Sequence, residues 1–156
     1  MPDYQRLYSF PSHFADIDGV KMHYLDEGDP QAPAVVMVHG NPTWSFYWRN
    51  LIPLLSKQFR VIVPDHIGCG YSEKPQKYPY NLEQHITNLE RLIESLQIQG
   101  KISLVMHDWG GAIASGYATR HPEDIERMVV FNTSALVLMM VWKMIFVWLP
   151  YSIGTK

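Results

Sequence analysis

The chain has 156 residues, 47% hydrophobic and 18% charged, the profile of a globular domain and not of a disordered or fibrous chain. Its 13 Lys and Arg against 15 Asp and Glu give a net charge of −2 with no basic stripe, which excludes the electrostatic signature of a nucleic-acid partner. The single cysteine, Cys69, cannot close an internal disulfide, and residues Met1 to Phe10 show no apolar leader core, so a reducing, cytoplasmic setting is expected.

From His13 to Leu25 polar and apolar residues partly alternate around Asp18-Gly19, which predicts a hairpin. Ala34 to Val38 is a continuous apolar run, as in a strand buried on both faces, and His39-Gly40-Asn41-Pro42 ends it with turn residues. A helix is expected over Trp44 to Leu55 and a second buried strand over Arg60 to Val63. Leu82, Ile86, Leu89, Ile93 and Leu96 recur at helical spacing, so Asn81 to Gln97 reads as an amphipathic helix. Asn81 is its N-cap, Gln84 completes the pattern of a capping box, and Gly100 marks its end. Buried strands are expected over Ile102 to Met106 and Met128 to Phe131, with a helix over Gly110 to Arg120 between them. Strands alternating with helices imply a mostly parallel sheet covered by helices on both faces.

The chemistry concentrates where the third buried strand meets its helix, in Met106-His107-Asp108-Trp109-Gly110-Gly111. A strand that turns sharply into a helix, with small residues just beyond, exposes the residue at its tip; this is the nucleophile elbow. The usual tip is serine, and here it is Asp108. An aspartate is ionised at neutral pH and can displace a leaving group from a saturated carbon without a base, forming an alkyl ester. Hydrolysing that ester by water then needs a base, normally histidine, and an oxyanion hole. Taken alone, Asp108 reads equally well as a helix N-cap. His39-Gly40-Asn41 tips the balance, because a His-Gly turn after the preceding strand supplies one backbone N–H of an oxyanion hole, the other coming from the residue after the nucleophile, Trp109. His39 and His66 read as structural hydrogen-bonders, His107 as pointing away from the elbow, and His13, His23, His85 and His121 as surface or helix-end residues. Cys69 shows no signature of a reactive thiol.

The segments His39-Gly40-Asn41-Pro42-Thr43-Trp44-Ser45, Trp48-Arg49-Asn50, Pro64 to Ser72 and His107-Asp108-Trp109-Gly110 together resemble the haloalkane dehalogenases, over roughly Phe14 to Ser134. The resemblance implies an α/β-hydrolase fold and hydrolysis of a carbon–halogen bond. It makes Asp108 the nucleophile, gives the departing halide to the Asn41 amide and the Trp109 indole N–H, and builds the oxyanion hole from the backbone N–H groups of Asn41 and Trp109. Its substrate is a small apolar molecule, and no metal or organic cofactor is implied.

The resemblance also implies residues beyond this chain. The family's histidine lies near the end of a chain about twice as long, and Phe131-Asn132-Thr133-Ser134 lacks the glutamate that some members carry, which places the acid beyond Lys156. The expectation is therefore the N-terminal part of a hydrolase core over residues 1–135, truncated before the cap and the last strands. Residues 136–156 then form an atypical apolar tail, the product of a frameshift or the start of a cap. Leu136 to Leu149 falls short of the ~20 residues of a membrane span. Two further readings stay open. One is an epoxide hydrolase, against which Asn41 argues; the other is a non-catalytic truncated fragment. Substrate size and oligomeric state are not fixed by the sequence.

Overall fold

A computed structural model describes residues 4–133. Six strands, β1 (His13–Ile17), β2 (Val20–Glu27), β3 (Ala34–Val38), β4 (Arg60–Pro64), β5 (Ile102–His107) and β6 (Ile125–Phe131), form one sheet in the order β1-β2-β4-β3-β5-β6. Its first three strands are antiparallel neighbours, and β4, β3, β5 and β6 run parallel. The hairpin falls on Asp18-Gly19. Both residues have positive φ, 53° and 82°, the left-handed pair that a two-residue turn needs to match the twist of its strands.

The expected parallel sheet covered on both faces is present, and alternation along β3 shows how it is packed. Val36 and Val38 face a core closed by Leu89, Ile93, Ile113 and Tyr117, from the helices α3 (Leu82–Ser95) and α4 (Trp109–Arg120). Val35 and Met37 face the opposite core, closed by Trp48 and Ile52. All five β3 residues are buried, as a central parallel strand requires. Asn81 caps α3 by accepting from the Gln84 N–H at 2.9 Å, but the capping box is half made, because the Gln84 amide turns instead to Asn88. Helix α3 ends earlier than Gly100 predicts, with Gln97 already left-handed at φ 46°.

The expected helix over Trp44 to Leu55 is two short pieces. A 3₁₀ turn covers Ser45–Trp48, and the four-residue helix α2 covers Ile52–Leu55; a further short helix, α1, covers Tyr4–Leu7. Pro53 gives the physical reason. It has no N–H to donate to the carbonyl of Arg49, and its ring would collide with that carbonyl in a continuous helix. No helix among the described residues is long and apolar enough to cross a membrane. The apolar stretch over Leu136 to Leu149 lies outside the described residues.

Candidate active site

Strand β5 delivers Asp108 to the carboxyl edge of the sheet, and α4 starts at the next residue. Asp108 has φ 51° and ψ −125°, a conformation that non-glycine residues rarely adopt, and its side chain makes no capping bond to α4. Both features argue against an ordinary N-cap, whose backbone is extended and whose side chain accepts from the second or third residue of the helix. The elbow closes because its neighbours are small. A Cβ on Gly40 would sit 2.5 Å from both Cβ and Oδ2 of Asp108, and one on Gly110 would sit 2.5 Å from the His39 carbonyl oxygen. The two glycines thus let the β3 turn and the start of α4 interlock.

The Asp108 carboxylate meets backbone donors from both sides of this junction. Hydrogen bonding from the Trp109 backbone, and then from the Asn41 backbone, holds the carboxyl below its ordinary range. The Asn41 N–H donates to Oδ2 at 3.0 Å. Thr133, just past β6, donates its hydroxyl to the Asp108 carbonyl at 2.5 Å. Asn41 and Trp109 also line a cleft of about 360 Å³ with His66, Cys69, Tyr80 and His85. Trp109 is 46% exposed and lines this cleft.

Two histidines beside the elbow are committed elsewhere. His39 accepts the His66 N–H on Nε2 at 3.0 Å and therefore donates from Nδ1 to the Gly40 carbonyl at 2.7 Å. His66 donates from Nε2 to the His39 carbonyl at 2.9 Å. Burial pushes both imidazoles below their ordinary value, so they are neutral structural pieces, as expected. His107 stacks on Tyr47, with ring centroids 4.4 Å apart, and does not line the cleft. His121 lies at the end of α4, paired with Glu90, and with Glu123 and Asp124 forms a cluster of ligand-type side chains at the far end of that helix from Asp108.

The sequence reading of His23 as a surface residue is corrected. His23 is fully buried and its Nδ1 lies 2.9 Å from Oδ2 of Asp65, also fully buried. Asp65 accepts in addition from the N–H groups of Ser45 at 2.7 Å and Tyr71 at 2.9 Å. Burial alone pushes the Asp65 carboxyl up; the bonds from His23, Tyr71 and Ser45 outweigh it and leave the carboxyl below its ordinary range. Through Ser45 this carboxylate anchors the segment that follows Asn41. Its only trace in the sequence is the turn Pro64 to Ser72, where Gly70 at φ 48° leaves the space that the carboxylate fills.

A mostly parallel sheet bearing an acid on a strand-to-helix elbow, with two backbone N–H groups trained on it, defines a protein of the α/β-hydrolase class. The chain belongs to that family: the model of the alpha/beta hydrolase fold matches residues 33–153. It is 52% identical over 134 residues to a cis-3-alkyl-4-alkyloxetan-2-one decarboxylase of Shewanella oneidensis, covering 85% of this chain and 42% of that protein. It is 36% identical over 132 residues to haloalkane dehalogenase 2 of Mycobacterium bovis, covering 85% and 45%. Among solved structures, the epoxide hydrolase CorEH superposes with a TM-score of 0.73 at 35% identity, covering 80% of this chain and 42% of that one. The chain thus spans less than half the length of these relatives.

Proposed function

We propose that Asp108 is a nucleophile that displaces a leaving group from a saturated carbon, and that its substrates are cis-3,4-dialkyl oxetan-2-ones. The observation that supports the first part is the fixed carboxylate. Oδ2 is held by the Asn41 N–H, while the strained backbone presents the side chain instead of capping the helix, and we assign the attack to Oδ1. The second part rests on likeness: identity is 52% to an oxetanone decarboxylase and 36% to a dehalogenase.

The two steps balance without water or an added proton. Oδ1 attacks the ring carbon that bears both an alkyl group and the ring oxygen. A carbon–oxygen bond to Asp108 forms, the ring carbon–oxygen bond breaks, and the carbonyl carbon becomes a free carboxylate. The Asn41 amide and the Trp109 indole receive that anion as neutral donors, binding it without a full positive charge that would trap it. The bond from the neighbouring carbon to this carboxylate then breaks, releasing carbon dioxide. Its electron pair forms the double bond and expels Asp108 as the free carboxylate. Back-side attack followed by departure from opposite sides keeps the two alkyl groups cis in the alkene.

The same pair of neutral donors supports a second reading, displacement of halide from an alkyl halide. That route ends in an ester that water must hydrolyse with the help of a base. The experiment that separates them supplies the chain with a cis-3,4-dialkyl oxetan-2-one and, separately, with 1-bromohexane, and analyses the products. A cis-alkene with equimolar carbon dioxide is expected from the first. A β-hydroxy acid in its place would mean that water opens the ring, and would overturn the decarboxylation reading.

A further inference from the structure

His85 is a cleft residue whose polar atoms the steps above leave unused. It sits one turn into α3, lines the same cleft as Asn41 and Trp109, and stands edge-on to His66 at 5.5 Å between ring centroids. Its Nδ1 is fully enclosed and has no hydrogen-bond partner among the described residues. Enclosed N–H groups without partners are rarer in proteins than under-satisfied acceptors. The ring hydrogen is therefore assigned to Nε2, with Nδ1 left as the bare acceptor. Because Nδ1 is shut away, Nε2 is the polar atom that the ring can turn toward the cleft.

We propose that His85 is the third donor to the leaving group and the residue that favours a carboxylate over a halide. This rests on the reading of Asn41 and Trp109 as leaving-group donors. A halide is a single atom that two donors satisfy. A departing carboxylate has two oxygens and about four acceptor sites, so two donors leave part of its charge unpaired inside the cleft. A neutral imidazole N–H on the adjoining wall completes the set without adding a formal charge. Burial supports the neutral form, since it pushes the His85 imidazole below its ordinary value. Specificity follows from the general asymmetry that a site built to hydrogen-bond a group discriminates strongly against ligands that do not use its donors.

The test titrates the full chain with sodium hexanoate and with sodium bromide and follows the Trp109 indole N–H resonance, assigned by its absence in Trp109→Phe. In His85→Phe the ratio of hexanoate to bromide affinity is expected to fall at least tenfold. In His85→Gln, which keeps an N–H donor on a shorter arm, the ratio should stay within about threefold of wild type. Equal loss of both affinities, or no change in the ratio, would overturn the proposal. Should His85→Phe not fold, the wild-type His85 Nε2–H signal decides: it must shift with hexanoate and stay in place with bromide. If the wild type shows no response at Trp109 to either anion, the leaving-group reading itself fails, a result distinct from an unchanged ratio.

Discussion

The backbone N–H of Asn41 lies 3.0 Å from Oδ2 of Asp108, across 67 positions of sequence. One bond therefore joins the turn after β3 to the elbow after β5, and its length depends on Gly40 lying against Asp108. In Gly40→Ala the new methyl would start 2.5 Å from Cβ and Oδ2 of Asp108. The elbow must shift, at a stability cost of about 1–3 kcal/mol. Thermal denaturation with parallel rate measurements is expected to show a folded variant that has lost at least about a hundredfold in rate, since misplacement by about 1 Å costs that much.

Asp65 is the second point of dependence. Its carboxylate serves His23, Ser45 and Tyr71 in a site closed to water. Losing a buried hydrogen bond to a charged group costs about 1.5–3 kcal/mol. Asp65→Asn is expected to lower the unfolding free energy by an amount in that range, measured by urea titration. A change below about 1 kcal/mol would show that the network is dispensable.

Acid sensitivity follows from His39 and His66. Both imidazoles lie below their ordinary value of 6.5 in the folded chain because burial disfavours the charged form. Between the folded value and 6.5 the unfolded chain binds more protons than the folded one, so stability rises with pH there and falls on acidification. The slope is up to about 1.4 kcal/mol per pH unit for each such group. Urea midpoints are expected to fall steadily from pH 7 to pH 5. A flat profile over that window would mean that neither ring is held neutral by the fold.

Thr133 makes a smaller and separable contribution. Its hydroxyl is the donor to the Asp108 carbonyl at the elbow, and its methyl and hydroxyl fill the space beside Gly111. Thr133→Val keeps the shape and removes the donor, with an expected loss of about 1 kcal/mol in urea unfolding. A loss near zero would show that the elbow holds its conformation without this bond.

Much of this architecture was legible in the residues, and the failures have particular causes. β3 is buried on both faces and so stands out as an unbroken apolar run, β5 is apolar from Ile102 to Met106 except at Ser103, and Asp18-Gly19 carries a tight-turn signal. The elbow was legible because a second motif, the turn His39-Gly40-Asn41 after another buried strand, decided between an elbow and the helix N-cap that Asp108 alone would equally suit. The expected helix over Trp44 to Leu55 is two pieces because Pro53 breaks the hydrogen-bond ladder at that point. His23 was misplaced because its burial depends on Asp65, far along the chain, and a long-range hydrogen bond leaves no periodic mark. Thr133 was noticed only for the carboxylate it is not, since nothing in sequence reveals a hydroxyl that will meet a carbonyl across the sheet edge.

The central claim is that Asp108 becomes covalently bonded to the substrate. The direct measurement is intact-protein mass spectrometry after incubation with 1-bromohexane, whose ester has no carboxylate to lose and so cannot leave by decarboxylation, followed by peptide mapping. The wild-type chain is expected to gain one hexyl group on the peptide containing Asp108, and Asp108→Asn to gain none. Equal labelling of both proteins, or labelling confined to another residue, would contradict the assignment of Asp108 as the nucleophile.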